Sequence, residues 1–136
     1  MSERLSKIFS KKTPKTKLVG YFVGCYPTFD YSLDIIKEAI DNGVSILEVG
    51  FATSEASAEG KIIKTAHDHV LKNNNTLKDV IKLVKEIRRY NQDVGIILMG
   101  YIANLYKHPI PKFVKDIKEA GADGCLVVDA PHELKE

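Results

Sequence analysis

Short apolar runs alternate with amphipathic stretches along almost the whole chain, and this alternation restricts its fold more than any other feature. The runs "LVGYFV" (18 to 23), "VSILEV" (44 to 49), "VGIILM" (94 to 99) and "GCLVV" (124 to 128) have the length and bounding turn signals of buried strands. Between the first two, "DYSLDIIKEAIDNG" places Leu33, Ile36 and Ile40 at helical spacing, with Asp30 or Ser32 as N-cap and Gly43 as the stop. A short helix is expected over "KIIKTAHDHVLK". A longer one over 77 to 90 opens on Thr76 with Asp79 three residues on, and carries Leu77, Val80, Ile81, Val84 and Ile87 on one stripe. "KFVKDIKEAG" supplies the last main helix, so the order is βαβαβαβ.

Strands that alternate with crossover helices form a parallel sheet covered by helices. An open doubly wound sheet and a (β/α) barrel both satisfy the pattern. "DNGVSILEVG" echoes "EAGADGCLVVD", a helix end, a Gly turn and a strand, which suits either fold. A closed barrel needs eight strands and this chain provides four, so the barrel reading is a half-barrel of parallel strands with a bare edge. Its exposed inner face is expected to drive self-association through the open edge.

The 136 residues, 44% of them hydrophobic, fit one domain. Net charge is only +2, but residues 1–17 hold six Lys or Arg against one Glu, and the rest of the chain is acidic. Residues 1–17 are therefore expected to be a flexible basic arm ahead of a domain over 18–136. The arm has no aromatic but Phe9 and no nucleic-acid motif, so nucleic-acid binding is not expected. It also lacks a secretory apolar core, and no run reaches the ~18 residues of a membrane span, which points to the cytoplasm. Cys25 and Cys125 lie far apart, and the four histidines, His67 and His69 among them, show no zinc spacing; neither a disulfide framework, a metal nor a cofactor is expected.

Glu48 stands out inside "SILEV". Period-2 alternation puts Leu47 and Val49 on one face and Ile46, Glu48 and Gly50 on the other. With the first face against the helices, Glu48 points to the opposite side near the C-terminal strand ends, where parallel α/β folds bind ligands. A buried carboxylate there needs a partner or a raised pKa. It is either a structural acid bonded to a hydroxyl or amides, or a general acid or base.

The stretch "LEVGFATSEASAEG" resembles the signature of the tryptophan synthase alpha chain family, L-E-L-G-x-P-F-S-D-P-x-A-D-G-P. The segments "LVGYFVGCYPTFDYSLDIIKEAIDNGVSILEVG", "NNNTLKDVIKLVKEIR", "IILMGY" and "FVKDIKEAGADGCLVVDAPHE" resemble further parts of it in order and spacing. The resemblance implies half of a (β/α)₈ TIM barrel, cleavage of indole-3-glycerol phosphate to indole and glyceraldehyde 3-phosphate, and a partner beta chain. It places Glu48 and Glu59 as the catalytic carboxylates, Tyr101 and Asp129 at the substrate, and Glu55 and Asn104 at the partner interface. Glu59 is one methylene longer than the family's Asp, and a displacement of ~1 Å in a positioned group costs on the order of a hundredfold in rate. Ala52, Thr53, Ala56 and Lys61 replace Pro, Phe, Pro and Pro, so the loop over 51–60 is expected to be mobile until a partner orders it.

The family's phosphate-binding loops have no counterpart in these residues, which hold no GxGxxG or Walker pattern. Two further roles therefore stand beside the enzyme: a catalytically impaired interaction protein that docks on a beta chain, and a truncated product without function.

Overall fold

Hydrophobic periodicity becomes structure in the expected order, with two helices more than the pattern announced. A computed structural model of the chain describes residues 2–10 and 16–131. The strands are β1 (Leu18–Val23), β2 (Val44–Gly50), β3 (Gly95–Gly100) and β4 (Gly124–Val127). They form one sheet in the order β1-β2-β3-β4, parallel at every pairing. The helices are α1 (Glu3–Ile8), α2 (Phe29–Asp41), α3 (Lys61–Lys72), α4 (Leu77–Tyr90), α5 (Ile102–Leu105) and α6 (Ile110–Ala120).

One face of the sheet is sealed. Leu47, Val49, Ile96 and Leu98 are fully buried there and join Ile36, Val80, Leu83, Val84, Ile87, Phe113 and Ile117 from the helices in one core. Each such side chain contributes ~1.5–3 kcal/mol on burial, which explains why alternation along the strands and the α4 stripe predict the core so well. The other face is open at its edges: Val19 is 45% exposed and Leu126 44%. Beside β4, Ile110 and Val114 of α6 are exposed as well. Such a sheet is a partial (β/α)₈ TIM barrel, whose uncovered face corresponds to a barrel interior.

Helix ends show where local signals decide. Thr76 and Asp79 close the expected capping box on α4. The α2 cap is Thr28, whose hydroxyl accepts from the Tyr31 N–H; Asp30 lies inside the helix, and the Ser32 hydroxyl is engaged by the Cys25 N–H instead. Gly43 follows the α2 C-cap at a φ of 101°, a left-handed conformation that suits glycine.

The basic composition of residues 1–17 predicts a loose arm, and over residues 2–10 the fold differs. Ser2 caps α1, and Leu5 and Ile8 pack close to Gly95 and Ile46 at the N-terminal end of the uncovered face. Arg4 donates to the Gln92 carbonyl at 2.8 Å and to Asp123 Oδ1 at 3.2 Å. The Asp123 carboxylate, 0% exposed, also receives Arg88 Nη2 and the Ile96 N–H, both at 2.9 Å. Burial and the Arg4 charge push the Arg88 pKa down while Asp123 pulls it back up. Lysines of the expected arm at 11, 12 and 15 lie outside the described residues.

Candidate active site

The C-terminal ends of β1, β2 and β3 bring the predicted acids together. Glu48 lies half-buried on the uncovered face, in register with Tyr21 of β1 and Ile97 of β3. Among the described residues it makes no side-chain hydrogen bond and no ion pair. Glu59, half-buried in the loop before α3, accepts a hydrogen bond from the Tyr101 hydroxyl at 3.4 Å. Tyr101 follows β3 directly and is 1% exposed. Burial raises its phenol pKa, the Glu59 charge adds to the rise, and a backbone hydrogen bond at Ala58 opposes it.

Asp129 follows β4 and accepts from the Ile102 N–H at 2.7 Å, which ties it to the start of α5. Its charge reaches Tyr101, so Glu59, Tyr101 and Asp129 share one neighbourhood. Asn104 on α5 donates to the Ala52 carbonyl at 3.1 Å, and its Oδ1 is enclosed with no partner among the described residues. Glu55 is exposed, and among the described residues its carboxylate has only a long contact with the Ser54 hydroxyl.

The loop over 51–60 is better anchored than its lack of proline suggests. Phe51, Thr53 and Ala56 are buried. Gly100 makes room for the Phe51 ring, because a Cβ there would collide with it. Thr53 donates its N–H to His67 Nδ1 at 3.3 Å.

His67 and Tyr21 are the residues that sequence reasoning missed. His67 is 2% exposed on α3, and its Nε2 lies 3.2 Å from the Tyr21 hydroxyl. Two signals were available: His67 occupies the apolar stripe of Ile63, Ala66 and Val70, and alternation along β1 puts Tyr21 on the face that Glu48 shares. Beside them a groove of about 240 Å³, lined by Tyr21, Val23, Tyr26, Ile35 and Ile62, opens at the β1 edge. No cluster of His, Cys, Asp or Glu that would hold a metal occurs among the described residues.

Comparison with known proteins decides the family. The model of the tryptophan synthase alpha chain family matches residues 8–136. The chain belongs to that family. The tryptophan synthase alpha chain of Aquifex aeolicus is 36% identical over 135 residues, 98% of this chain and 52% of the relative. That of Clostridium acetobutylicum is 31% identical, over 100% of this chain and 52% of the relative. A solved chain from Aquifex aeolicus VF5 superposes with a TM-score of 0.92 at 36% identity, covering 96% of this chain and 52% of its own length. The alpha subunit of Legionella pneumophila also reaches 0.92, at 28% identity, with 98% and 52% covered. This alpha-chain family member thus spans about half the length of the relatives that it matches.

Proposed function

We propose that this chain, joined by the remaining half of the barrel, cleaves indole-3-glycerol phosphate to indole and glyceraldehyde 3-phosphate in cytoplasmic tryptophan biosynthesis. The observation that carries the reading is that Glu48 and Glu59 both lie near enough to the Tyr21 phenol to act on it, Glu48 without a side-chain partner among the described residues and Glu59 holding the Tyr101 hydroxyl. Glu48 is the acid that protonates C3 of the indole ring as the carbon–carbon bond breaks, and its lack of a fixed partner among the described residues suits a group that must pass a proton. Glu59 accepts the indole N–H and stabilises the positive charge that develops on the ring, a task for an ionised carboxylate. Tyr101 and Asp129 contact the substrate at the same mouth.

The reading includes docking on a beta chain through residues 51–60 and 101–108. Glu55 supplies an exposed charge there, while Asn104 ties the two segments into one surface through Ala52. The uncovered sheet face supports self-association whenever the second half is absent.

The test mixes the purified chain with a separately produced segment from the Aquifex relative that supplies the remaining strands. The chain alone should release no indole and sediment as self-associated species, whereas the mixture should release indole and sediment as a one-to-one complex. Glu48→Gln should lower the rate of the mixture at least ~100-fold, while Glu59→Asp should match or exceed the wild type. Indole release that survives Glu48→Gln unchanged would sink the assignment.

A further inference from the structure

The pairing of Tyr21 with His67 has a fixed proton arrangement. A backbone N–H is always a donor, so His67 Nδ1, which accepts from Thr53, carries no proton. The ring is therefore neutral with its hydrogen on Nε2, and Nε2–H donates to the Tyr21 oxygen at 3.2 Å. Tyr21 then keeps its own hydroxyl hydrogen for another acceptor. Among the described residues no other group lies within hydrogen-bond reach of that hydroxyl.

The place of this hydroxyl is equally defined. It rests against Gly50, where a Cβ would collide with it, two residues beyond Glu48 on the same strand face. Burial first, and then the charges of Glu59, Tyr101 and Glu48, hold the phenol well above its ordinary pKa, so it stays protonated. The hydroxyl is part-buried, and its free hydrogen is left for water or for an acceptor that a ligand brings to the site.

We propose that Tyr21 is a specificity-determining residue of the carboxylate site, a donor to a hydroxyl oxygen on the ligand's side chain, with His67 as the residue that positions it. The inference rests on the proposed indole-type ligand and adds to it the selection of a hydroxylated side chain. His67 acts twice: its ring fixes the phenol, and through Thr53 it ties the loop that carries Glu59 to the same hydroxyl.

The test titrates the intact chain with indole-3-glycerol and with indole-3-propanol, which lacks two of the hydroxyls, and follows both by chemical-shift changes. The wild type should prefer indole-3-glycerol, and Tyr21→Phe should lose that preference by about fivefold, the worth of one hydrogen bond. His67→Leu should lose it too, whereas His67→Gln, which restores an N–H near the Nε2 position, should keep most of it. Nitrogen spectra should show His67 with a bare Nδ1 and a protonated Nε2 at neutral pH. The opposite tautomer, or a Tyr21→Phe variant that binds both compounds with the wild-type preference, overturns the inference and leaves the lyase reading standing. Failure of the wild type to bind either compound overturns the inference and leaves the lyase reading to the mixing experiment.

Discussion

Asp123 and Glu48 are carboxylates at opposite ends of the same sheet, and they are treated in opposite ways. Asp123, beside the start of β4, is fully enclosed and receives Arg88, Arg4 and the Ile96 N–H. Glu48, near the end of β2, is half-buried and receives no hydrogen bond from the described residues. An enclosed charge whose two oxygens are both engaged serves to hold the scaffold. A half-enclosed one left open retains the freedom to exchange a proton, which is where strained or unsatisfied groups belong in a functional fold.

The contrast is easiest to break at Asp123. Asp123→Ala strands the Arg88 guanidinium and the Ile96 N–H in the interior, and should lower unfolding free energy by ~3–5 kcal/mol. Urea denaturation checks it, and a loss below ~1 kcal/mol would remove Asp123 from the scaffold role.

Alkali should sharpen the contrast from the other end. The Tyr21 and Tyr101 phenols are held above the ordinary 10.0, Tyr21 by burial first and Tyr101 likewise, each with a further push from Glu59. The folded state therefore keeps protons that the unfolded chain releases. The stability they contribute is complete below about pH 10 and drains away as pH rises through the folded values. Urea midpoints measured from about pH 9 to about pH 11 should fall, and the slope should be shallower for Tyr21→Phe. An identical slope in that variant places the titration elsewhere.

The smallest effect is expected at Glu48 itself. Since nothing in the described fold leans on its carboxylate, Glu48→Gln should change stability by no more than ~0.5 kcal/mol. A loss above ~1 kcal/mol, read from the same urea curves, would mean that Glu48 is part of the framework after all.

What the sequence disclosed and what it hid divide along the distance between partners. Leu47 and Val49 were readable from alternation, and Thr76 with Asp79 from a three-residue spacing, because both signals are local. The family signature carried Glu48 and Glu59 as a pair. The bond from Tyr101 to Glu59 joins residues 42 apart, that from Tyr21 to His67 joins residues 46 apart, and no periodicity reports either. The same holds for α1: its Arg4 and Lys7 counted as part of a basic arm, while the seat that Arg4 finds at Asp123 is 119 residues away. Thr28 took the α2 cap from Asp30 and Ser32 because the Ser32 hydroxyl was engaged by Cys25, again a contact outside the helix.

The sheet order β1-β2-β3-β4 is also the order of synthesis. Each strand therefore meets its neighbour as soon as one crossover has been made, and within these four strands no pairing has to wait for a distant arrival. Among the described elements α1 departs from this sequence: it is made before β1, and its seat is completed by Asp123 beside β4. A nascent chain halted between β3 and β4 would carry three assembled strands and a helix with nowhere complete to settle, so α1, made before all four strands, is locked only when β4 arrives.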